Sequence, residues 1–87
     1  MASVWIPSLL RPLAGGQAHV VVPGRTVGDV IDALERAYPG LKSKLCQGSR
    51  LDPAIRAVVD GRAAMLGLAE PVEKGSEVLF LPTISGG

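Results

Sequence analysis

Aromatic residues and cysteines are scarce in this chain of 87 residues, which contains one tryptophan, one tyrosine, one phenylalanine and one cysteine. The core must therefore be built from aliphatic side chains, and few rings are present on which nucleic-acid bases could stack. The lone Cys46 excludes an internal disulfide framework and a four-cysteine zinc site, and it fits a reducing compartment.

The chain also lacks an excess of charge of either sign and long apolar runs. Nine lysine and arginine residues stand against eight aspartate and glutamate residues, a net charge of +1 without a basic stripe. This balance argues against nucleic-acid binding. No apolar run approaches the roughly 18 residues that span a membrane, and the N-terminus lacks the pattern of a signal peptide. We therefore expect one cytoplasmic domain with a modest core, binding neither nucleic acid nor membrane.

One segment has the spacing and the end signals of an amphipathic helix. Thr26 is a suitable N-cap, and Asp29 can complete a capping-box-like pair with it. Apolar residues then recur at helical spacing as far as Tyr38, and Pro39-Gly40 ends the element. We expect a helix over residues 26–38, followed by a short helical turn at 41–45 and a loop at 46–53.

Segments rich in β-branched residues predict five strands around this helix. Asp60-Gly61 is a hairpin signal, because a type I′ turn needs positive φ at both positions. The expected strands lie at residues 4–6, 18–22, 55–59, 62–65 and 77–81.

This element order predicts an α+β domain of two layers, in which a mixed sheet packs on one main helix. The first two strands should pair antiparallel, and the first and last strands should lie side by side and parallel. The expected core consists of apolar residues at regular spacing: Val20, Val22, Val27, Val30, Ile31, Leu34, Val59, Val78 and Phe80.

The chain ends in Ser85-Gly86-Gly87, shortly after the last strand and Pro82. Glycine loses the most backbone entropy on ordering, so a terminal pair is useful where another molecule must approach the backbone closely. A tail without Cβ atoms can thread a narrow channel and present its last carboxylate to a partner's active site. We expect a folded domain over residues 1–82 and a flexible tail over residues 83–87.

The last strand also predicts a surface for a partner. If Val78 and Phe80 face the core, Leu79 and Leu81 lie on the other face, and exposed apolar patches often mark interaction sites. Ile84 has no strand to join, so we expect it to anchor the tail in a partner's groove. His19 is expected to be an exposed strand residue. Cys46 has no histidine and acid near it in sequence, and we predict neither a catalytic group nor a metal site.

Four segments together resemble the ubiquitin-like, β-grasp sulfur carriers of the ThiS/MoaD family, and the resemblance covers nearly the whole chain. They are residues 26–31 (TVGDVI), 58–61 (VVDG), 74–78 (KGSEV) and 80–87 (FLPTISGG). Asp60 stands where family members often have asparagine, which preserves the turn chemistry. Residues 6–12 (IPSLLRP) and 15–17 (GGQ) are similar to the opening of the CysO-type carriers of cysteine biosynthesis.

The resemblance implies a carrier protein and not an enzyme. An ATP-using partner would adenylate the carboxylate of Gly87, and sulfur would then replace AMP to give a thiocarboxylate. Ser85 and Gly86 would thread the partner's channel, while this chain itself binds no cofactor. The implied partners are a ubiquitin-activating-type adenylyltransferase or sulfurtransferase, a cysteine synthase-like sulfide acceptor and a JAMM-type metalloprotease.

Three other functions stay open at this point. The chain could be a MoaD-like small subunit of molybdopterin synthase, a ubiquitin-like modifier that forms isopeptide bonds through Gly87, or an interaction module whose glycines are incidental. The opening at residues 6–17 favours the cysteine-biosynthesis carrier over the molybdopterin synthase subunit. The residues do not separate carrier from modifier, because both begin with the same acyl-adenylate.

Overall fold

A computed structural model describes residues 1–82 of the chain. Strands β1 (Ala2–Trp5) and β2 (His19–Val22) precede helices α1 (Val27–Ala37) and α2 (Leu41–Leu45). A small hairpin follows, made of β3 (Cys46–Gln47) and β4 (Arg50–Leu51). Strands β5 (Ile55–Val59), β6 (Arg62–Ala63) and β7 (Glu77–Pro82) come last, and two 3-10 helices occupy connections at Ser8–Ala14 and Gly67–Ala69.

The main sheet has five strands in the order β2-β1-β7-β5-β6. Its central strand is β7, which runs parallel to β1, with Val4 opposite Val78, and antiparallel to β5, with Ile55 opposite Pro82. The predicted parallel pairing of the first and last strands is confirmed, and so is the antiparallel pairing of β1 with β2. The last described strand is therefore held by a neighbour on each side.

Helix α1 begins as the sequence predicts. The side chain of Thr26 accepts a hydrogen bond of 3.1 Å from the backbone N–H of Asp29. The Asp29 carboxylate reaches back one residue further than a capping box requires, and accepts from the backbone N–H of Arg25 at 3.2 Å. The helix ends at Ala37, and Gly40 follows with φ of 106°, a backbone conformation that favours glycine.

The core lies between α1 and one face of the sheet. Every residue predicted for it is buried, and Leu34 on α1 and Val78 on β7 are 0% exposed. The period-two and helical spacings were sufficient for this prediction because each element buries only one face. Further buried apolar residues are Ala2, Val4, Ile6, Ala14, Ala33, Leu41, Leu45, Ala57 and Val72.

The prediction of a loop at residues 46–53 was wrong. Cys46 and Gln47 pair with Leu51 and Arg50 in the β3–β4 hairpin. Gly48 has φ of 65°, which lets the chain reverse there. Cys46 on β3 is buried in the core, and Leu51 on β4 is partly buried against it. One apolar side chain on each strand therefore holds the hairpin, although its strand propensity is weak.

Several strand boundaries differ from the prediction. β1 runs from Ala2 to Trp5 and stops before Pro7, which has no N–H to donate. β6 ends at Ala63 instead of residue 65, because the chain turns at Gly67, whose φ is 59° and whose N–H donates to the carbonyl of Ala64. β7 extends to Pro82, one residue further than expected.

Asp60 and Gly61 have φ of 51° and 82°, as the predicted type I′ turn requires. The Asp60 carboxylate also joins this turn to the start of β7. It accepts from the Ser76 hydroxyl at 2.7 Å and from the Glu77 backbone N–H at 2.9 Å. The Ser76 hydroxyl, which is almost fully buried, accepts in turn from the N–H of Glu73 at 2.9 Å.

We expect this turn to make stability depend on pH. Hydrogen bonds from the Glu77 backbone N–H and the Ser76 hydroxyl lower the pKa of Asp60 in the folded state. A lowered folded pKa contributes stability above the unfolded value, and that contribution is lost as the pH falls below about 4. Melting curves should show a smaller loss of Tm between neutral and acidic pH for Asp60→Asn than for the wild type. If Tm falls equally with pH in both proteins, Asp60 does not contribute to the pH dependence of stability.

Candidate functional site

The carboxyl end of β7 is the place from which residues 83–87 continue. Val78 and Phe80 point into the core and are 0% and 1% exposed. Leu79 is partly buried and Leu81 is 43% exposed, both on the face of the sheet opposite α1. The strand thus has a fixed inner face and an apolar outer face immediately before the tail.

Neighbouring strands extend this apolar outer face. Trp5 lies opposite Leu79 across the β1–β7 pairing and is 42% exposed, and Val58 lies opposite Leu79 across the β5–β7 pairing. Val21 on the edge strand β2 is exposed as well. We call Trp5, Val21, Val58, Leu79 and Leu81 the open-face patch. Its exposure is typical of a surface that a partner covers.

A groove lies beside the end of β7. It has a volume of about 400 Å³, and its walls come from β1, β7 and the 3-10 helix Ser8–Ala14. Trp5, Leu9, Leu79, Leu81 and Pro82 supply apolar surface. Two cations, Arg11 and Lys44, line the same groove, and among residues 1–82 no acidic side chain does. The Arg11 side chain is fixed by a hydrogen bond of 3.1 Å from its Nε to the carbonyl of Ile6.

The residues predicted to thread or react lie outside the described residues. These are Ile84, Ser85, Gly86 and Gly87, so their roles stay predictions. Of the predicted partner-binding residues, the structure brings Leu79 and Leu81 together at the end of β7, in the open-face patch.

The other titratable residues of interest lie elsewhere. His19 is exposed, as predicted, and its ring lies with its centroid 4.7 Å from that of Trp5. Cys46 is buried, and burial raises the pKa of its thiol, which disfavours the reactive thiolate. Across residues 1–82 no group of three His, Cys, Asp or Glu side chains could hold a metal ion, and no helix is both long and apolar enough to cross a membrane.

Sequence reasoning missed two features of this site. The outward orientation of Trp5 could have been predicted from strand alternation. Val4 and Ile6 point into the core, so the residue between them must point outward. The cationic groove had no such signal. Arg11 and Lys44 are far apart in the sequence, and only the folded chain brings them to the end of β7.

Comparison with known proteins agrees with this geometry. Residues 4–87 match the model of the ThiS family. The chain is 36% identical to the sulfur carrier protein CysO of Mycobacterium tuberculosis over 98% of this chain and 97% of that protein. It is 40% identical to small archaeal modifier protein 1 of Haloferax volcanii, covering 90% of this chain and 91% of the modifier.

A solved structure gives the same result for the fold. The crystal structure of the Amycolatopsis orientalis BexX/CysO complex contains a chain that matches with a TM-score of 0.93 and 31% identity, over 100% of both chains. The predicted β-grasp fold is thereby confirmed. The sequence match, the mixed sheet with β7 at its centre and the full-length structural match lead to one conclusion: the chain belongs to the ThiS family, whose relatives include small sulfur carriers and archaeal modifiers.

Proposed function

We propose that this protein is a sulfur carrier whose working group is the carboxylate of Gly87. The carboxylate oxygen attacks the α-phosphorus of ATP in an activating enzyme, and pyrophosphate leaves. Hydrosulfide then attacks the acyl carbon, AMP leaves, and loss of a proton gives a C-terminal thiocarboxylate that donates sulfide in biosynthesis, of cysteine in particular. The observation that carries the proposal is the match to CysO over nearly the whole of both chains.

The chemistry explains why a carrier needs a partner. A terminal carboxylate has a pKa of about 3.3–3.7, so at neutral pH it is ionised and is a poor electrophile. Adenylation supplies a good leaving group. This chain then serves as a cosubstrate and contributes no catalytic side chain, metal or bound cofactor, and the ATP belongs to the partner.

Because the reaction consumes ATP and Cys46 is a free thiol, we place the protein in the cytoplasm.

The folded domain has its own part in this reaction. Strand β7, held between β1 and β5, provides a rigid base for the tail, and the open-face patch provides a docking surface beside it. In this account Leu79, Leu81 and Ile84 contact the adenylyltransferase, and Ser85 and Gly86 thread its channel. The complex of a related carrier with BexX supports a binary assembly of this kind. A cysteine synthase-like acceptor and a JAMM-type metalloprotease would act on later forms of the tail.

Protein modification is the second candidate function. The 40% identity to small archaeal modifier protein 1 favours it, because a modifier starts from the same adenylate and differs only in its acceptor. A lysine amine would then replace sulfide as the nucleophile. A role as the small subunit of molybdopterin synthase is a third, more distant alternative.

Reconstitution separates these functions. The full chain is incubated with its cognate activating enzyme, with ATP and with a sulfide donor, and samples lacking ATP or the donor serve as controls. We expect a thiocarboxylate only in the complete mixture. A modifier would instead become attached to lysines of proteins added to the mixture, and these adducts would withstand treatment with thiols. Failure to form any adenylate with the cognate enzyme would contradict both readings.

The open-face patch makes a separate prediction. Leu81→Glu should leave the fold intact, because Leu81 is 43% exposed, but should slow adenylation by placing an unpaired charge in the interface. Pyrophosphate release at subsaturating carrier measures the effect, with an expected loss of about tenfold or more. Met65→Glu is the matched control, since Met65 is 86% exposed and lies outside the patch. Equal rates for Leu81→Glu and the control would show that the open-face patch does not contact the activating enzyme.

A further inference from the structure

The outer edge of β2 is an unpaired edge of the main sheet. β2 is the first strand in the order β2-β1-β7-β5-β6, and within residues 1–82 no other strand pairs with its far side. Its residues, His19 to Val22, include no lysine, arginine, aspartate, glutamate or proline, and its register with β1 is continuous. Native proteins usually protect such an edge with charge, proline or a bulge, because free N–H and C=O groups recruit another strand. The edge of β2 is therefore open to pairing.

The ladder between β1 and β2 decides which backbone groups point outward, because bonded and non-bonded pairs alternate along an antiparallel ladder. The N–H of Ile6 donates to the carbonyl of Ala18 at 2.8 Å, so this is a bonded pair. The N–H of Ser3, opposite Val21, points away from β2 and donates to the carbonyl just before β7 at 2.9 Å. The N–H and C=O groups of His19 and Val21 therefore point away from β1, at the open edge.

The side chains of β2 alternate between the two faces of the sheet. Val20 and Val22 point into the core, whereas Val21 is 53% exposed on the open face. His19 shares that face, and its ring lies beside that of Trp5. A strand added to this edge must therefore present an apolar side chain opposite Val20 on the inner face. It must also offer backbone donors and acceptors at two positions that are separated by one residue.

A second copy of β2 meets both requirements. When two copies pair antiparallel about a two-fold axis at Val20, His19 of each copy lies opposite Val21 of the other, and each such pair exchanges both of its backbone hydrogen bonds. Val20 then meets its own counterpart on the inner face, since opposite residues of an antiparallel pair share a face. Pro23 has no N–H and ends the pairing. We propose that two copies of this chain associate through their β2 edges, which joins their five-stranded sheets into one continuous sheet.

Charge and area set the strength of this association. The chain has a net charge of only +1, so two copies repel each other little. Two strands of this length form an interface at or below about 1,200 Å², the range of weak and transient complexes, so the dimer depends on concentration. The carboxyl end of β7 stays free, because β1 lies between β2 and β7. The dimer therefore neither requires nor prevents the proposed sulfur-carrier function, and the two can fail separately.

Proline at position 21 tests the outward N–H group. That N–H is not bonded to β1, so Val21→Pro removes no hydrogen bond of the single chain, and edge strands accept proline at such positions. Sedimentation equilibrium measures the average mass of the full chain at micromolar and at millimolar concentration. The wild type should rise from one chain mass toward two, and Val21→Pro should stay at one, with an unchanged circular dichroism spectrum. A wild type that keeps the mass of one chain at both concentrations would overturn the proposal.

A charge at the same position is the second variant, and it applies also if the proline variant does not fold. Val21→Lys keeps the backbone N–H but places a cation from each copy at the contact, so it should weaken the association about tenfold or more. Leu66→Lys is the matched control, because Leu66 is 63% exposed and lies outside β2, and it should associate like the wild type. Equal association of the two lysine variants would contradict a contact through β2.

Cysteine cross-linking tests the register. The Cα atoms of a bonded pair are about 5.5 Å apart, within reach of a disulfide, whereas residues displaced by two positions along the strand lie beyond the limit of about 7 Å. His19→Cys and Val21→Cys proteins are incubated separately and mixed, under mild oxidation at high concentration, and the wild type with its buried Cys46 gives the background. The mixed disulfide, identified by its mass, should form about tenfold faster than either symmetric one. Faster linking of Val21→Cys to itself would indicate stacked open faces and, like equal rates, would overturn the proposal.

Discussion

Deletion of Gly87 is expected to abolish thiocarboxylate formation and to leave the folded domain unchanged. The reaction needs the acyl carbon at one distance from the end of β7, and removal of a residue withdraws it by about 3.5 Å. The free energy of unfolding should change by less than about 0.5 kcal/mol, because the deleted residue is a glycine and has no side chain to pack in the core. Thiocarboxylate is measured by intact mass after reaction with the activating enzyme, and stability by thermal unfolding.

Gly86→Val extends this prediction to the shape of the partner's channel. A β-branched side chain should clash where bare backbone passes, and a misplacement of about 1 Å is enough to lower the rate roughly 100-fold. Thr83→Val is the matched control, since it introduces the same side chain nearer the folded domain. If Gly86→Val forms thiocarboxylate as fast as Thr83→Val, the terminal glycines do not thread a narrow channel.

Leu34→Ala should have the largest effect on stability. Leu34 is 0% exposed on the inner face of α1, and truncation there loses buried surface and leaves a cavity, at a cost of about 2–5 kcal/mol. Leu66→Ala is the control, because Leu66 is 63% exposed and should change stability by no more than about 0.5 kcal/mol. Chemical denaturation measures both. Similar midpoints for the two variants would contradict the packing of α1 against the sheet.

The elements that the sequence predicted are those in which one face is buried. Helix α1 has Val27, Val30, Ile31 and Leu34 at helical spacing, and each of them is in the core. The Asp60-Gly61 turn was predictable because few residues tolerate positive φ at two successive positions. The parallel pairing of β1 with β7 followed from the order of the elements.

The elements that it missed depend on contacts between distant residues. The β3–β4 hairpin has strands of two residues, too short for any periodicity, and it is held by Cys46 and Leu51 against the core. The groove combines Arg11 from the first 3-10 helix with Lys44 from α2. Neither residue has a local pattern that distinguishes it from a solvated surface charge, so only the tertiary arrangement makes them part of a site.

The most direct measurement is the intact mass of the protein purified from the organism that encodes it, before and after alkylation. Replacement of one carboxyl oxygen by sulfur adds about 16 Da, as oxidation also does, but only the thiocarboxylate is an alkylated nucleophile at the C-terminus. A sulfur carrier should show a fraction of molecules with this added mass and an alkyl group on the C-terminal peptide ending in Gly87. Alkylation confined to Cys46, with an unmodified C-terminal peptide, would contradict the sulfur-carrier function.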